Sequence, residues 1–388
     1  MTTTPSSSAA GPLAGVRVLD LSAYIAGPYG CALLADQGAE VLKIEPPAGD
    51  NLRRYPSTLA EESRAFLGVN RSKRGAVLDL KQPEDLAVLH RLVQQSDVLV
   101  HNFRPGVPER LGIGYEALAA INPRLVYCAV TGYGDKGPLR QRAGYDQVLQ
   151  TMTGMCAMQA PAGAAPQILY GSVVDYYAAS LIAAAVSSAL YEREKSGAGQ
   201  QVGVSLLRSA LAMQSARLVW ADSERREVGR DMRSGGITGI HPTRAGWIYI
   251  SANTPHFWQA LCEKTGLAEL LDGDRYDTVR KRARHHAEIV PRLHAALAAR
   301  SALEWEDICG DEVPCAAART VEDMFDCPQV QAEDMVARFD HPVAGSYRGF
   351  SRAMTFGRTP GPQPFAAPAL GQHDAEVRAL ADAQREAA

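Results

Sequence analysis

An aspartate near the start of a long apolar stretch is the first residue whose setting could support chemistry. Asp175 closes the segment Gly171-Ser-Val-Val-Asp, and a mostly apolar helical pattern follows it. Ser172-x-x-Asp175 has the form of a capping box, in which both side chains would satisfy the first amides of the helix. Those amides and the helix dipole would also keep a carboxylate ionised, as a covalent nucleophile requires. The local sequence therefore supports either a structural or a catalytic role.

A tyrosine and a glycine-rich segment are further candidates. Tyr145, in Ala143-Gly-Tyr-Asp, is either a core aromatic with a satisfied hydroxyl or a phenol that faces a site. Gly235, Gly236 and Gly239 lie in an arginine-rich break in composition. They form either an interdomain linker or a mobile loop whose amides could approach a reacting carbonyl.

Three cations follow predicted strands, where ligands bind in open α/β sheets. Lys81 follows one strand, and Arg104 and Arg110 follow another. The three side chains could converge on phosphates, for which arginine offers two-pronged contact, or they could be ordinary solvated charges. The denser basic run at 280–286 lies on a helical pattern, and we expect it to be the solvent-facing side of an amphipathic helix.

Composition and missing motifs exclude several classes of function. The net charge of −3 and pI near 6.3 supply no overall field to recruit nucleic acid or an anionic membrane. The turn after the first strand lacks the G-x-G-x-x-G spacing of dinucleotide sites. The seven cysteines have no C-x-x-C pair or zinc-ligand spacing, which predicts no metal and a reducing compartment. The polar segment 1–10 has no signal-peptide features, so we expect a cytoplasmic protein.

Short β-branched runs alternate with helical patterns and predict the elements that carry these residues. Strands are expected at 16–21, 41–45, 76–80, 98–100, 125–130, 202–206 and 247–251, and helices at 28–36, 83–96, 145–153, 174–194, 207–226 and 375–383. Strands that are apolar on both faces and separated by helices indicate a doubly wound α/β layer. The glycine- and arginine-rich break at 227–240 predicts a domain boundary.

Thirteen short segments form one ordered set along nearly the whole chain. They include Asn102-Phe-Arg-Pro-Gly, Gly144-Tyr-Asp and Leu370-Gly-Gln-His, and the others lie at 12–22, 26–28, 38–45, 70–74, 78–81, 122–124, 132–134, 197–200, 313–315 and 326–329. In this order they resemble the class III CoA-transferase family, which includes formyl-CoA transferase, carnitine CoA-transferase and α-methylacyl-CoA racemase. Their number and order, rather than any single segment, make the resemblance specific.

The resemblance implies a fold. The family has a Rossmann-like large domain built from both ends of the chain, a smaller α/β domain inserted between them, and two subunits interlocked as a homodimer. We accordingly place the large domain at 11–226, the small domain at 227–324 and the returning segment at 325–388.

The resemblance also implies roles for individual residues. Asp175 stands where the family has its nucleophile, which forms an acyl-aspartyl anhydride and then an aspartyl-CoA thioester. Gly235 and Gly236 resemble the family's active-site loop. The implied substrates are an acyl-CoA, such as succinyl-CoA, and a small carboxylic acid. The family positions that hold the adenine and phosphates of coenzyme A correspond to Leu78, Lys81, Asn102, Phe103, Arg104 and Arg110.

Tyr145 distinguishes the two branches of the family. The racemases have histidine at this position, and a phenol with a pKa near 10 is a poor base at neutral pH. We therefore expect CoA transfer, with an α-methylacyl-CoA racemase as the alternative. A CoA-binding protein without catalysis and a dehydrogenase are alternatives of other classes, and the missing glycine fingerprint disfavours the dehydrogenase.

Specificity is less constrained by the sequence. Ile25 and Pro46 replace a glutamine and an arginine of formyl-CoA transferase, which argues against formate and oxalate as the acids. Arg233, His241 or Arg244 could hold a distal carboxylate of the acceptor, because all three lie near the predicted loop.

Overall fold

Two groups of internal contacts divide the chain. A computed structural model describes residues 10–59, 61–159, 163–223 and 237–383. Contacts join Met1–Ala221 and Gln329–Ala388 into a larger unit and leave Asp222–Pro328 as a smaller one. The domain bounds predicted from the sequence lie within a few residues of these limits. That each unit is an independent domain stays a prediction.

A six-stranded parallel sheet forms the centre of the larger unit. Its strands are β1 (Arg17–Asp20), β2 (Glu40–Glu45), β3 (Lys73–Val77), β4 (Val98–His101), β5 (Val126–Thr131) and β6 (Gln201–Ser205). The strands pair in the order β3-β2-β1-β4-β5-β6, so the chain reverses direction across the sheet between β1 and β4. In doubly wound sheets, the crevice beyond the carboxyl ends of the strands at this reversal is where ligands bind.

Helices cover both faces of the sheet. The first nine are α1 (Ala26–Asp36), α2 (Arg64–Asn70), α3 (Pro83–Gln94), α4 (Val107–Arg110), α5 (Tyr115–Ile121), α6 (Asp146–Met152), α7 (Met155–Gln159), α8 (Val173–Ser196) and α9 (Leu206–Ala212). Alternate strand residues enter opposite cores: Val18 packs on the side of α1 and α8, and Leu19 on the side of α3 and α5. This two-sided burial explains why the strands have apolar residues at consecutive positions.

Helix α8 is the longest element and passes through the core. By length and composition it could cross a membrane, but a core helix passes the same test. Its residues Ala178, Ile182 and Val186 are completely buried against the sheet layer. Gly30 of α1 lies so close to Ile182 that a Cβ there would approach it to 2.9 Å, which explains the need for glycine at this helix contact.

Two predicted elements differ from the structure. Strand β3 begins at Lys73, earlier than expected, because this fully buried lysine is satisfied by polar partners inside the sheet layer. Helix α9 ends at Ala212, and the described residues beyond it form turns with Leu218 and Val219 exposed. Most helical stability comes from packing an apolar face against other residues. Within the described part of a single chain, Leu218 and Val219 are exposed and have no such surface to pack against.

The smaller unit is an antiparallel sheet covered by helices. Its elements are β7 (Gly239–Pro242), β8 (Trp247–Ile250), α10 (Pro255–Thr265), α11 (Val279–Arg284), α12 (His286–Leu297), α13 (Ala302–Cys309) and β9 (Cys315–Ala317). The expectation that the basic run faces solvent is wrong at Arg282. Its guanidinium is buried, lies 5.0 Å from the Trp258 ring centroid, and donates to the Tyr276 carbonyl at 2.9 Å.

The chain then returns to the larger unit. The remaining elements are α14 (Pro328–Ala332), β10 (Val336–His341), β11 (Gly345–Phe350) and α15 (Asp374–Asp382). Strands β10 and β11 form a separate antiparallel pair, and α15 packs beside α3 with Val377 and Ala381 completely buried. The C-terminal segment therefore completes a core that begins near the N-terminus.

Candidate active site

The loops after β1 and β4 meet at the reversal point of the sheet. The Asn102 side-chain oxygen accepts from the Ala23 amide at 2.9 Å, and its side-chain nitrogen donates to the Ala23 carbonyl at 2.7 Å. This two-way contact ties together the loops that leave neighbouring parallel strands. Asn102, which is also a predicted coenzyme A contact, therefore holds the two loops together.

Buried ion pairs lie beneath these loops. Lys73 donates to Asp20 at 2.8 Å, and Lys43 lies 3.2 Å from Asp50 and donates to the Ser22 carbonyl at 2.9 Å. Burial alone would raise the pKa of Asp20, but the charges of Lys73 and Lys43 outweigh it and lower that pKa to about 2. Breaking one such buried pair is strongly destabilising, so the network fixes the loop after β1.

Tyr24 stands in that loop with a left-handed backbone. Its φ is 65°, its amide donates to Asp50 at 3.2 Å, and its hydroxyl accepts from Asn51 at 3.1 Å. The ring meets Tyr55 edge-on at 6.3 Å and Tyr145 at 5.8 Å between centroids. A non-glycine residue with this backbone is held by its surroundings, and here the result is a cluster of three phenols.

Tyr145 is half-exposed and immediately precedes α6. A hydrogen bond with the Tyr24 hydroxyl is the main cause that raises the pKa of Tyr145 above its usual value near 10. The Gly144 backbone crosses that of Gly132, and a Cβ on either glycine would come within 3 Å of the other chain segment. Tyr145 is thus aimed by a backbone crossing that only glycines permit.

Asp175 lies partly buried in the first turn of α8. The expected capping box is wrong: Ser172 has a left-handed backbone, and its side chain makes no capping hydrogen bond. The Asp146 carboxylate instead accepts from the amides of Val174 at 2.6 Å and Asp175 at 3.0 Å. The helix therefore begins on a side chain from α6.

The expectation that helix amides keep Asp175 ionised is also wrong. Burial, in the first place, and the Asp146 charge, in the second, raise the pKa of Asp175 to about 7. Within the described ranges, no hydrogen bond to the Asp175 carboxylate is found. The charge of Asp175 in turn contributes to raising the pKa of Tyr55 and of Tyr176, after burial and neighbouring phenols. These effects place the aspartate beside the phenol cluster.

The other predicted coenzyme A contacts follow strands β3 and β4. Leu78 is almost completely buried in the core beneath the sheet, and Phe103 packs on that core while stacking on His101 at 5.5 Å. Lys81, Arg104 and Arg110 are exposed. Their positions agree with a surface that could meet phosphates, and their roles stay predictions.

The three cations are also free of carboxylate partners. In the part of the chain that the structure describes, none of Lys81, Arg104 or Arg110 makes an ion pair. The charge of Arg104 acts on the Tyr145 hydroxyl and partly offsets the rise in its pKa. Of the three cations, Arg104 is therefore the one shown to act on the phenol cluster.

The predicted loop and acceptor residues fare differently. Gly235, Gly236 and Arg233 lie outside the described residues. His241 is buried, with one ring nitrogen 2.8 Å from the Ile237 carbonyl and the other 3.1 Å from His294, so neither is free for a substrate carboxylate. Arg244 is exposed and pairs with Glu304 at 2.8 Å.

Sequence reasoning missed three residues of this site. Asp146 was part of a quoted motif, but its acidic side chain caps a helix that begins 27 residues later, a contact that no local pattern encodes. Tyr24 and Tyr55 come from separate loops that meet only in the fold. The one available signal was the acidic residue at the start of a predicted helix, which is common at helix N-termini.

Proteins with similar sequences include named CoA-transferases. The family model of CoA-transferase family III matches residues 13–374. Acetyl-CoA:oxalate CoA-transferase of Acetobacter aceti is 34% identical over 351 residues, which is 87% of this chain and 88% of that protein. Human succinyl-CoA:glutarate CoA-transferase is 31% identical, covering 94% of this chain and 85% of its own. The crystal structure of Rv3272 from Mycobacterium tuberculosis superposes with a TM-score of 0.82 at 31% identity, covering 95% and 99%.

Proposed function

The chain belongs to CoA-transferase family III, and we propose that Asp175 carries the transfer of CoA from an acyl-CoA donor to a small organic acid. The single observation that supports this role most directly is the state of its carboxylate. It lies beside the crevice at the sheet reversal, partly buried and without a hydrogen bond from any described residue. A carboxylate that is not engaged elsewhere is available to attack an acyl carbon.

The proposed reaction consists of two acyl exchanges on this side chain. An ionised Asp175 oxygen attacks the thioester carbonyl, the C–S bond breaks, and CoA leaves as a thiolate, which gives an acyl-aspartyl anhydride. The thiolate attacks the Asp175 carbonyl carbon and releases the donor acid, which gives an aspartyl-CoA thioester. The acceptor carboxylate then repeats these two steps in reverse order and leaves as its CoA thioester. Electrons and atoms balance without a redox partner or an added proton.

Tyr145 favours transfer over racemisation. A racemase needs a second acid or base opposite the aspartate to exchange the α-proton. The pKa of Tyr145 is raised above 10 by its Tyr24 neighbour, so the phenol is a still poorer base at neutral pH than an isolated tyrosine.

Intact mass spectrometry tests the proposal. The chain is incubated with a panel of acyl-CoAs, and the mass of the protein is recorded after rapid acid quench. A CoA-sized increase supports the aspartyl-CoA thioester and ranks the donors. Solvent deuterium entering the α-position of a 2-methylacyl-CoA, without any adduct, would support the racemase instead.

We propose that the donor is the CoA thioester of a small organic acid and that the acceptor is another small organic acid. The names of two relatives state their substrates, which are succinyl-CoA and glutarate for one and acetyl-CoA and oxalate for the other. Ile25 packs against the core around Leu52 and Phe66 and offers no polar group, and Pro46 is exposed. We therefore propose succinyl-CoA as the first donor to test, with dicarboxylic acids longer than oxalate as acceptors.

Neutralising Arg104 is expected to weaken coenzyme A binding. Arg104 has no carboxylate partner among the described residues, so its guanidinium is available to pair with a phosphate of coenzyme A. Arg104→Gln would remove that charge-assisted contact. We expect the KM for acyl-CoA to rise about tenfold, with kcat changed by less than about threefold. Steady-state kinetics measure both constants. The exposed Arg358→Gln serves as the matched control, and an equal KM in the two variants would contradict the assignment.

We propose that two copies associate in solution, as the family resemblance implies. Tyr170 is fully exposed, and Leu218 and Val219 are 65% and 73% exposed, although such apolar groups gain by leaving water. Light scattering should give twice the 41.7 kDa chain mass. Val219→Asp should lower the fraction of newly folded chains that assemble into dimers, whereas Leu303→Asp, at an exposed apolar residue of the smaller unit, should not. A monomeric mass for the wild type contradicts the dimer.

A further inference from the structure

Two carboxylates approach each other at the N-terminus of α8. Asp146 is 2% exposed and accepts hydrogen bonds from the amides of Val174 and Asp175, as well as from the Gln150 side chain. Free amides at the start of a 24-residue helix are a favourable site for negative charge. Asp146 occupies two of them with its own charge.

This arrangement changes what Asp175 experiences. A carboxylate in the first turn of a helix would ordinarily draw on these amides and be stabilised by them. Here the amides of Val174 and Asp175 are already taken, and the capping oxygen brings a like charge close to Asp175. An aspartate denied donors and faced by a like charge holds its electron pair less tightly and is the better nucleophile.

We propose that Asp146 is a positioning residue that takes the α8 amides away from Asp175 and so keeps the Asp175 carboxylate unengaged and reactive. The inference rests on the proposed role of Asp175 as the nucleophile. Because attack by Asp175 requires its ionised form and releases a thiolate, adduct formation should follow the ionised fraction of Asp175 as pH rises. Removing the charge of Asp146 should move that dependence to lower pH.

The other groups facing Asp175 do not compete for this role. Tyr55 precedes α2 and Tyr176 follows Asp175 on α8, and burial raises the pKa of both, so they stay neutral across the relevant range. Tyr145, from the segment before α6, has a raised pKa as well, and the Arg104 charge acts on that phenol. Among the described groups, Asp146 is the charge that acts on Asp175.

The test is the pH profile of single-turnover adduct formation. Full-length wild type, Asp146→Asn and Asp146→Ser are mixed with the donor acyl-CoA that forms the adduct, quenched from pH 5 to 9, and analysed by intact mass. Both variants keep a neutral oxygen that can cap the helix. The wild-type midpoint is expected near pH 7, and both variants should shift it down by about one pH unit or more. Asp323→Asn removes the charge of a carboxylate that accepts from the Thr320 amide in the smaller unit and keeps an accepting oxygen, so it should leave the midpoint unchanged.

The outcomes separate this inference from the proposed function. A wild type that forms no adduct at any pH overturns the nucleophilic role of Asp175 and the inference with it. A wild type that forms the adduct but has a midpoint below pH 5 overturns the role of Asp146 alone. So does a midpoint that a folded neutral variant does not move. Two neutral variants are used so that a folding defect in one leaves the other to decide.

Discussion

Replacing Asp175 with alanine is expected to abolish the covalent CoA adduct and to lower CoA transfer by about 10³-fold or more. The reason is that both acyl exchanges of the proposed reaction form a bond to this carboxylate, and no other described carboxylate near it is free. Asp146, the nearest, is buried and holds helix amides. Initial rates with the donor and acceptor that react fastest, together with intact mass, measure the two losses separately.

Two controls make this result specific. The exposed Asp307→Asn should transfer CoA at the wild-type rate, which excludes a general effect of losing one acidic charge. The KM for acyl-CoA should stay similar in any residual activity of Asp175→Ala, because the proposed phosphate contacts lie elsewhere. Transfer that persists within tenfold of wild type would remove Asp175 from the reaction and reopen the CoA-binding alternative.

The sheet could be predicted from the sequence because its strands are short apolar runs between helices. The predicted strand at 76–80 differs from β3, which begins at Lys73. Lysine ordinarily indicates a surface, but Lys73 lies inside the sheet layer, where Asp20 balances its charge. The end of α9 was misjudged for the opposite reason, because an apolar helical pattern continues where the single chain offers no core for it. In both cases the local pattern was overruled by partners distant in sequence.

The residues of the candidate site could be proposed from the sequence, whereas the electrostatics around Asp175 could not. The family resemblance proposed Asp175, and the strand ends proposed Lys81, Arg104 and Arg110. The local motif suggested that helix amides stabilise the Asp175 charge, yet those amides belong to Asp146, which comes from another helix. Packing between α6 and α8 decides which of the two aspartates accepts hydrogen bonds from the first amides of α8. Spacing along the chain does not encode that choice.

Asp175→Asn is expected to stabilise the fold at alkaline pH, in contrast to its effect on activity. The folded-state pKa of Asp175 is about 7, whereas its ordinary value is 3.8. Between these values the folded chain retains a proton that the unfolded chain has released, so the free energy of unfolding falls as pH rises. Above pH 7 the wild type keeps a charged, partly buried carboxylate next to Asp146, and asparagine removes that unfavourable charge with little change in shape.

Urea unfolding at fixed protomer concentration measures this effect. At pH 8 we expect Asp175→Asn to exceed wild type by roughly 1–3 kcal/mol; one unit of pKa corresponds to about 1.4 kcal/mol, and partial exposure reduces the full value. At pH 4 the difference should nearly vanish, because Asp175 is then protonated in the folded state. Asp307→Asn should show no such pH dependence. A variant that is no more stable than wild type at pH 8 would mean that Asp175 is ionised at little cost in the folded chain, and that the amides of α8 or bound solvent stabilise it after all.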